Sequence, residues 1–278
     1  MLKVENLSVY FADRGTEEHI VRGVSFSMEQ GEILGIVGES GSGKTLTALT
    51  IAGLLKENAI LESGEIYLDE RELLSLTDKE MRRIQGKEIS MIFQEPMTAL
   101  NPTMRIGKQV EESLLLHENL SGKERRQKAL QALQDADLED PQRVYSQYPH
   151  ELSGGMRQRA MIASAIVCRP KLLIADEPTT ALDVYTQESI LKLLRKLNAK
   201  YDMGILFISH NLRVVKELCT RVLVMKDGVI VEEGLAEEIF ENPGNPYTRE
   251  LVRAIPTRVK KNVYYELLRE KAGGAHGE

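Results

Sequence analysis

Residues 38–45 read GESGSGKT. They follow the apolar run EILGIVG at 32–38 and lead into KTLTALTIAGLL at 44–55. A buried strand, a glycine-rich loop and a helix in that order restrict the chain to an α/β fold and give the loop a purpose. Gly38, Gly41 and Gly43 let the backbone curl so that successive amides converge at the positive end of the helix, where an anion is held. In the same loop Glu39, Ser40 and Ser42 contribute amides, Lys44 reaches the outer phosphates and the Thr45 hydroxyl can hold magnesium. A turn without chemical use would need neither the flanking elements nor the Lys44-Thr45 pair. The expected ligands are a nucleoside triphosphate and Mg2+.

The rest of the chain fits this start. Residues 2–10 and 20–28 alternate as strands around a polar loop, ADRGTEEH, and GEIYL and EISMIF (88–93) read as two more strands. From about 95 to 150 apolar residues recur at helical spacing, which predicts a helical lobe inserted between core strands. Strand and helix then alternate through KLLIAD (171–176), ESILKLLRKLNAKY, GILFIS (204–209), LRVVKELC and RVLVMKDGVIVEEG. The pattern predicts a mostly parallel sheet with helices on both faces.

Several polar residues fall where apolar strands end, the edge at which ligands gather in such sheets. Asp176 closes KLLIAD and supplies the carboxylate that P-loop enzymes use for magnesium. Glu177, one residue on, points to the other side of the chain end and can polarise a water. His210 follows GILFIS and can face the terminal phosphate. Gln94 follows EISMIF, where its amide can touch magnesium or water, while Pro96 and Pro102 shape the segment after it. These parts suffice for hydrolysis, and no feature recommends an acceptor other than water. The guanine-selecting N-K-x-D tetrapeptide is missing, which favours ATP, and Phe11 beside Tyr10 offers adenine a stacking face.

A second glycine-rich turn raises a further question. In ELSGGMRQR, residues 151–159, Ser153 can cap a helix whose first amides, at Gly154 and Gly155, are bare. Arg157 and Arg159 add positive charge where the helix dipole is already positive, so the turn is expected to welcome an anion. From these residues alone the anion could belong to the same chain or to another.

Composition sets the outer limits. With 36 basic and 42 acidic residues the net charge is −6, which argues against a nucleic-acid partner. The start, MLKVENLSVYF, lacks a signal-peptide core, and no apolar run approaches the roughly 20 residues that span a bilayer. The chain is expected in the cytosol, with any membrane link made through a partner. Cys168 and Cys219 have no metal-ligand spacing and read as reduced, partly buried thiols.

Taken in order, Gly38 to Thr45, Gln94, Leu152-Ser153-Gly154-Gly155-Met156, Asp176-Glu177, Ala181-Leu182-Asp183 and His210 resemble the ATP-binding cassette (ABC) family over residues 1–256. No single piece is as specific as the order and spacing of all six. The resemblance implies an ATPase with a RecA-like P-loop core, an antiparallel β lobe and a helical subdomain at about 95–160, working head to tail with a second ATPase subunit, identical or related. It implies that Phe11 stacks on adenine, Gln94 senses the terminal phosphate and contacts the membrane partner, Glu177 is the general base, His210 is the switch histidine and Asp183 lies at the subunit boundary. It also places Ser153, Gly154 and Gly155 against the nucleotide of the other subunit.

More narrowly, NPYTRELVRAIP at 245–256, MIFQEPMTALNP and LSGGMRQR are similar to the branch that powers uptake of di- and oligopeptides and of nickel. Met156, Glu95 and Asn211 depart from the residues usual in the wider family or the branch, without removing a phosphate-contacting group. The implied partners are integral membrane permease subunits and, indirectly, an extracytoplasmic substrate-binding protein, with the chain at the cytoplasmic face of the membrane. Residues 257–278 form a short tail that is read either as a partner contact or as a solvated appendage. A soluble ATPase acting on ribosomes or DNA is the competing class. One cassette without a sustained heptad run speaks against it, and a small-molecule kinase lacks an acceptor site.

Overall fold

The computed structural model describes residues 1–13, 16–94, 99–180 and 182–255. Glu95, Pro96, Ala181 and the 257–278 tail lie outside them. In chain order the strands are β1 (Leu2–Asp13), β2 (Thr16–Met28), β3 (Ile33–Val37), β4 (Ala59–Leu68), β5 (Arg71–Glu72), β6 (Ile89–Ile92), β7 (Leu172–Asp176), β8 (Gly204–Ile208), β9 (Arg221–Lys226) and β10 (Val229–Leu235). The helices are α1 (Lys44–Ile51), α2 (Asp78–Ile84), α3 (Ile106–His117), α4 (Gly122–Asp135), α5 (Pro141–Ser146), α6 (Gly154–Ile166), α7 (Val184–Tyr201), α8 (Leu212–Leu218), α9 (Ala236–Glu241) and α10 (Pro246–Arg253).

Six strands form the central sheet in the order β10-β9-β3-β8-β7-β6, parallel except for the antiparallel edge strand β10. Every residue of β3, β7 and β8 is buried, as expected of strands covered on both faces. Because successive side chains alternate, each strand feeds two cores. Leu173, Ala175, Ile205 and Phe207 pack with the helices from α3 to α8. Leu172, Ile174, Leu206 and Ile208 pack with α1, α2 and the antiparallel sheet β2-β1-β4-β5.

The structure differs from the expected boundaries in several places: β4 begins at Ala59, ahead of GEIYL, and α2 and β5 were not expected, while three further differences have a plain physical reason. Most of the polar stretch 12–19 belongs to strands, since β1 runs to Asp13 and β2 starts at Thr16, with Asp13 paired to Thr16. Glu17 and Glu18 are exposed there, so the hairpin end shows no apolar alternation to detect. Helix α1 stops at Ile51 and not at Leu55. Gly53, at φ 66°, turns the chain left-handed, and the Gly53 and Leu54 amides donate to Thr50 and Leu49. Finally, RVLVMKDGVIVEEG is a hairpin, β9 and β10, folded at Asp227-Gly228.

Between β6 and β7 the chain builds the helical lobe from α3, α4 and α5. Helix α6 packs on α3, α4 and β6, and so belongs to both lobe and sheet. Inside the lobe, buried Glu111 accepts the Tyr145 hydroxyl and is paired with Lys108 at 3.0 Å. The Tyr145 ring presses on α3 at Gly107, where a Cβ would fall 2.1 Å from Tyr145 Cδ2. Gly107→Ala should therefore cost about 1–3 kcal/mol through overpacking, measured by urea unfolding; unchanged stability would show that the ring moves aside freely.

Candidate nucleotide site

Three strand ends and one loop meet at the carboxyl edge of the parallel sheet. The loop 38–43 leaves β3 at the sheet's centre, between β8 and β9. Gly43, the residue before α1, has φ 99°, and the Ile20 carbonyl of β2 stands so close that a Cβ there would lie 2.8 Å from it. A side chain would thus be both strained and obstructed at Gly43. From behind, the Gly228 amide donates to the Ser42 carbonyl at 3.2 Å.

Lys44, only 5% exposed, donates to the carbonyls of Gly38 (3.0 Å) and Glu39 (2.7 Å) and to Ser42 Oγ (3.3 Å). Burial lowers its pKa, against the raising influence of Glu177, Asp176 and Glu39. Thr45 Oγ1 donates to Asp176 Oδ1 at 3.2 Å, placing a hydroxyl and a carboxylate side by side. Among the described residues no group of three or more His, Cys, Asp or Glu could cage a metal. A pair of hard oxygen ligands fits a small cation that takes its remaining ligands from phosphate and water.

Glu177 has partners of its own. Its φ of 47° is a left-handed conformation that costs a non-glycine residue energy, and it is held from several sides. The Glu177 amide donates to the Ile208 carbonyl at 2.9 Å, anchoring the backbone to β8. The carboxylate meets Gln94 Nε2 at 3.1 Å, Thr180 Oγ1 at 2.9 Å and His210 Nδ1 at 2.7 Å. Gln94, Glu177 and His210 thus come together from the ends of β6, β7 and β8. Gln94, expected at the magnesium as well, directs its amide nitrogen to Glu177. Thr180 belongs to the same constellation and carried no sequence signal beyond its nearness to Asp176-Glu177.

Phe11 is half-buried on β1, paired with Glu18 and Ala59. Its neighbour Tyr10 pairs with His19, so both aromatics lie at the hairpin end whose Ile20 overlies Gly43.

The second glycine turn is built as expected at its cap. Ser153 accepts from the Met156 amide at 3.3 Å, and a Cβ at Gly154 would meet nothing within 4 Å. Gly155 abuts Thr186 at the start of α7, a helix capped by Asp183 through the amides of Tyr185 (3.1 Å) and Thr186 (3.0 Å). The described hydrogen bonds of residues 153–155 do not reach residues 38–45. The arginines require a correction. Arg157 Nε donates to the Pro149 carbonyl at 2.8 Å, and Arg159 reaches the Ala136 carbonyl at 3.0 Å, Asp137 at 3.5 Å and Ser189. Arg159 is thereby engaged with the helical lobe and the α7 face and not with the turn, and Arg157 directs its Nε–H back to Pro149. Behind the turn, buried Gln158 donates to the Pro178 carbonyl at 2.6 Å, next to Glu177.

The two cysteines stand apart from this site as free thiols, Cys219 buried and Cys168 partly so. Burial pushes the Cys168 thiol up to about 11 and raises that of Cys219 as well.

Fold and edge together make the protein a P-loop nucleoside triphosphatase. Within that class the chain belongs to the ABC transporter family, whose family model matches residues 21–180, and it is an ATPase. It is 47% identical over 258 residues to the oligopeptide transport ATP-binding protein OppD of Bacillus subtilis, covering 92% of this chain and 72% of that protein. With the dipeptide transport ATP-binding protein DppD of Haemophilus influenzae it shares 46% identity over 256 residues, 92% of this chain and 78% of the relative. Its fold is similar to the dimeric, post-hydrolysis structure of the ATP-binding cassette MJ0796 bound to ADP and Pi. There the TM-score is 0.76 at 32% identity, over 85% of this chain and 99% of the other.

Asp176 provides a test of the site's electrostatics. Burial pushes its carboxyl from 3.8 up to about 6; the Thr45 hydrogen bond and Lys44 oppose the rise and the Glu177 charge adds to it. Between those two values the folded chain keeps a proton that the unfolded chain has lost, so this residue's contribution to stability falls as pH rises from 3.8 to 6. Asp176→Asn should raise stability at neutral pH by on the order of 2 kcal/mol, in chelator and without nucleotide, and flatten that slope. A variant no more stable than wild type would show that the carboxylate carries no burial penalty.

Proposed function

We propose that this chain is the ATP-hydrolysing subunit of an ABC importer for di- or oligopeptides. It would sit at the cytoplasmic face of the membrane and be paired there with a second ATPase subunit and integral membrane permeases. The observation that carries the catalytic part is Glu177, braced by Gln94, Thr180 and His210 beside the loop 38–45. The transport part is supported by the peptide-transport relatives OppD and DppD, each similar to this chain over nine-tenths of its length. Peptide is thereby favoured over nickel as cargo. Among the described residues no helix is long and apolar enough to cross a membrane, so the passage itself would belong to partners. An extracytoplasmic binding protein would select the cargo.

The residues divide the work as follows. The amides of 38–45 and Lys44 bind the phosphates, and Phe11 stacks on the adenine. Thr45 and Asp176, with Gln94 beside them, would hold a magnesium ion, whose chemistry there is to neutralise charge on the phosphate oxygens. Glu177 takes a proton from the attacking water, and His210 fixes the Glu177 carboxylate while facing the terminal phosphate. Ser153, Gly154 and Gly155 close over the nucleotide held by the partner subunit, with Asp183 at the boundary. Closure on ATP and release after hydrolysis then work the permeases between two states. The cassette would span residues 1–256, with the helical subdomain at about 95–160.

Two measurements test this reading. Glu177→Gln should retain ATP binding, lose about 100-fold or more of its turnover and accumulate an ATP-dependent dimer on size exclusion. Turnover near wild type would remove Glu177 from the role of base. Affinity purification of the full chain from detergent-solubilised membranes should recover integral membrane subunits; recovery of ribosomes in their place would favour the soluble class.

A further inference from the structure

The segment 245–256 marks the branch resemblance, yet hydrolysis as described makes no use of it. The structure shows where residues 245–255 go. After β10 the chain is fixed by Glu232, whose carboxylate accepts the amides of Gly244 (2.6 Å) and Asn245 (3.2 Å). The Asn245 side chain donates to the Val231 carbonyl at 3.2 Å and accepts the Tyr247 amide at 2.9 Å, capping α10. This carries the Tyr247 ring, 7% exposed, back to the phosphate loop. There the Glu39 amide donates to the Tyr247 hydroxyl at 3.1 Å, across 208 positions of sequence. Lys226 Nζ lies 4.7 Å from the ring centroid and braces its orientation.

The peptide that joins Gly38 to Glu39 is the point of interest. In a trans peptide the carbonyl and the N–H face opposite ways. The Gly38 carbonyl accepts from Lys44 at 3.0 Å, while the N–H of the same unit goes to Tyr247. One peptide plane is therefore pinned from both sides. Position 38 requires glycine, because a Cβ would fall 2.1 Å from the Met225 carbonyl; glycine also leaves the adjoining plane easy to rotate. A lysine that turns toward a phosphate loosens its hold on the Gly38 carbonyl, and the Tyr247 hydroxyl is then the restraint left on that plane.

We propose that Tyr247 is a positioning residue for the phosphate loop: its hydroxyl holds the Gly38–Glu39 peptide while Lys44 exchanges loop carbonyls for nucleotide. The C-terminal segment thereby raises nucleotide affinity without touching nucleotide. The proposal rests on residues 38–45 being the nucleotide cradle.

Tyr247→Phe tests it, since the variant keeps the ring, its packing and the Lys226 contact and removes the hydroxyl alone. In the purified full-length chain, calorimetry should show ATP binding weakened about 3- to 10-fold. The KM for ATP should rise in parallel, with kcat at saturation within about twofold of wild type, and the Glu39 amide should exchange faster by NMR. Unchanged affinity and unchanged exchange at Glu39 overturn the proposal. So does a lowered melting temperature with kcat falling alongside affinity, which would make Tyr247 a folding residue. A wild-type chain that fails to bind ATP would instead overturn the reading of the cradle, so the two failures are distinguishable.

Discussion

Parallel strands covered on both faces leave polar groups few places to reach solvent, and the foremost is the edge where the strands end. That constraint arranges this protein. β3, β7 and β8 are buried throughout, so their polar chemistry appears only past Val37, at Asp176 and beyond Ile208. The antiparallel sheet and the helices differ in character, but both serve this edge. One lies against the phosphate loop through Ile20, and the other sends Gln158 to the turn after Glu177.

The edge is held at a cost to local comfort. Asp176 is an acid in a place that disfavours its charge, and Glu177 adopts a backbone conformation that few side chains tolerate. Surrounding bonds make both positions persist: Thr45 donates to Asp176, the Glu177 amide is bonded to β8, and the Glu177 carboxylate has partners from three segments. Strain of this kind is found where a group must stand ready in a conformation it would not choose, and the rigid sheet beneath supplies the restraint.

Much of this was legible in the sequence because it is local. Strand-loop-helix order exposes residues 38–45, and a polar residue just past an apolar run marks Asp176, Gln94 and His210. What escaped reading is tertiary in origin. Nothing near Tyr247 in sequence announces Glu39, and nothing near Gln158 announces Pro178. Arg159 misled for a related reason: a long side chain delivers its charge several ångströms from its Cα, so position in a helix does not fix where the charge acts. The strand residues at 12–13 and 16–19 were hidden because an exposed hairpin end lacks the apolar alternation by which strands are recognised.

The alternation of core residues along the central strands has an evolutionary consequence. With Leu172 and Ile174 committed to one core and Leu173 and Ala175 to the other, inserting a single residue in β7 would exchange the two sets and spoil both. Length can change only between strands. The stretch from β6 to β7 already accommodates an entire helical lobe there, with the register of the sheet intact. A lineage can therefore remodel the surface this lobe presents to other molecules while inheriting its phosphate chemistry unaltered.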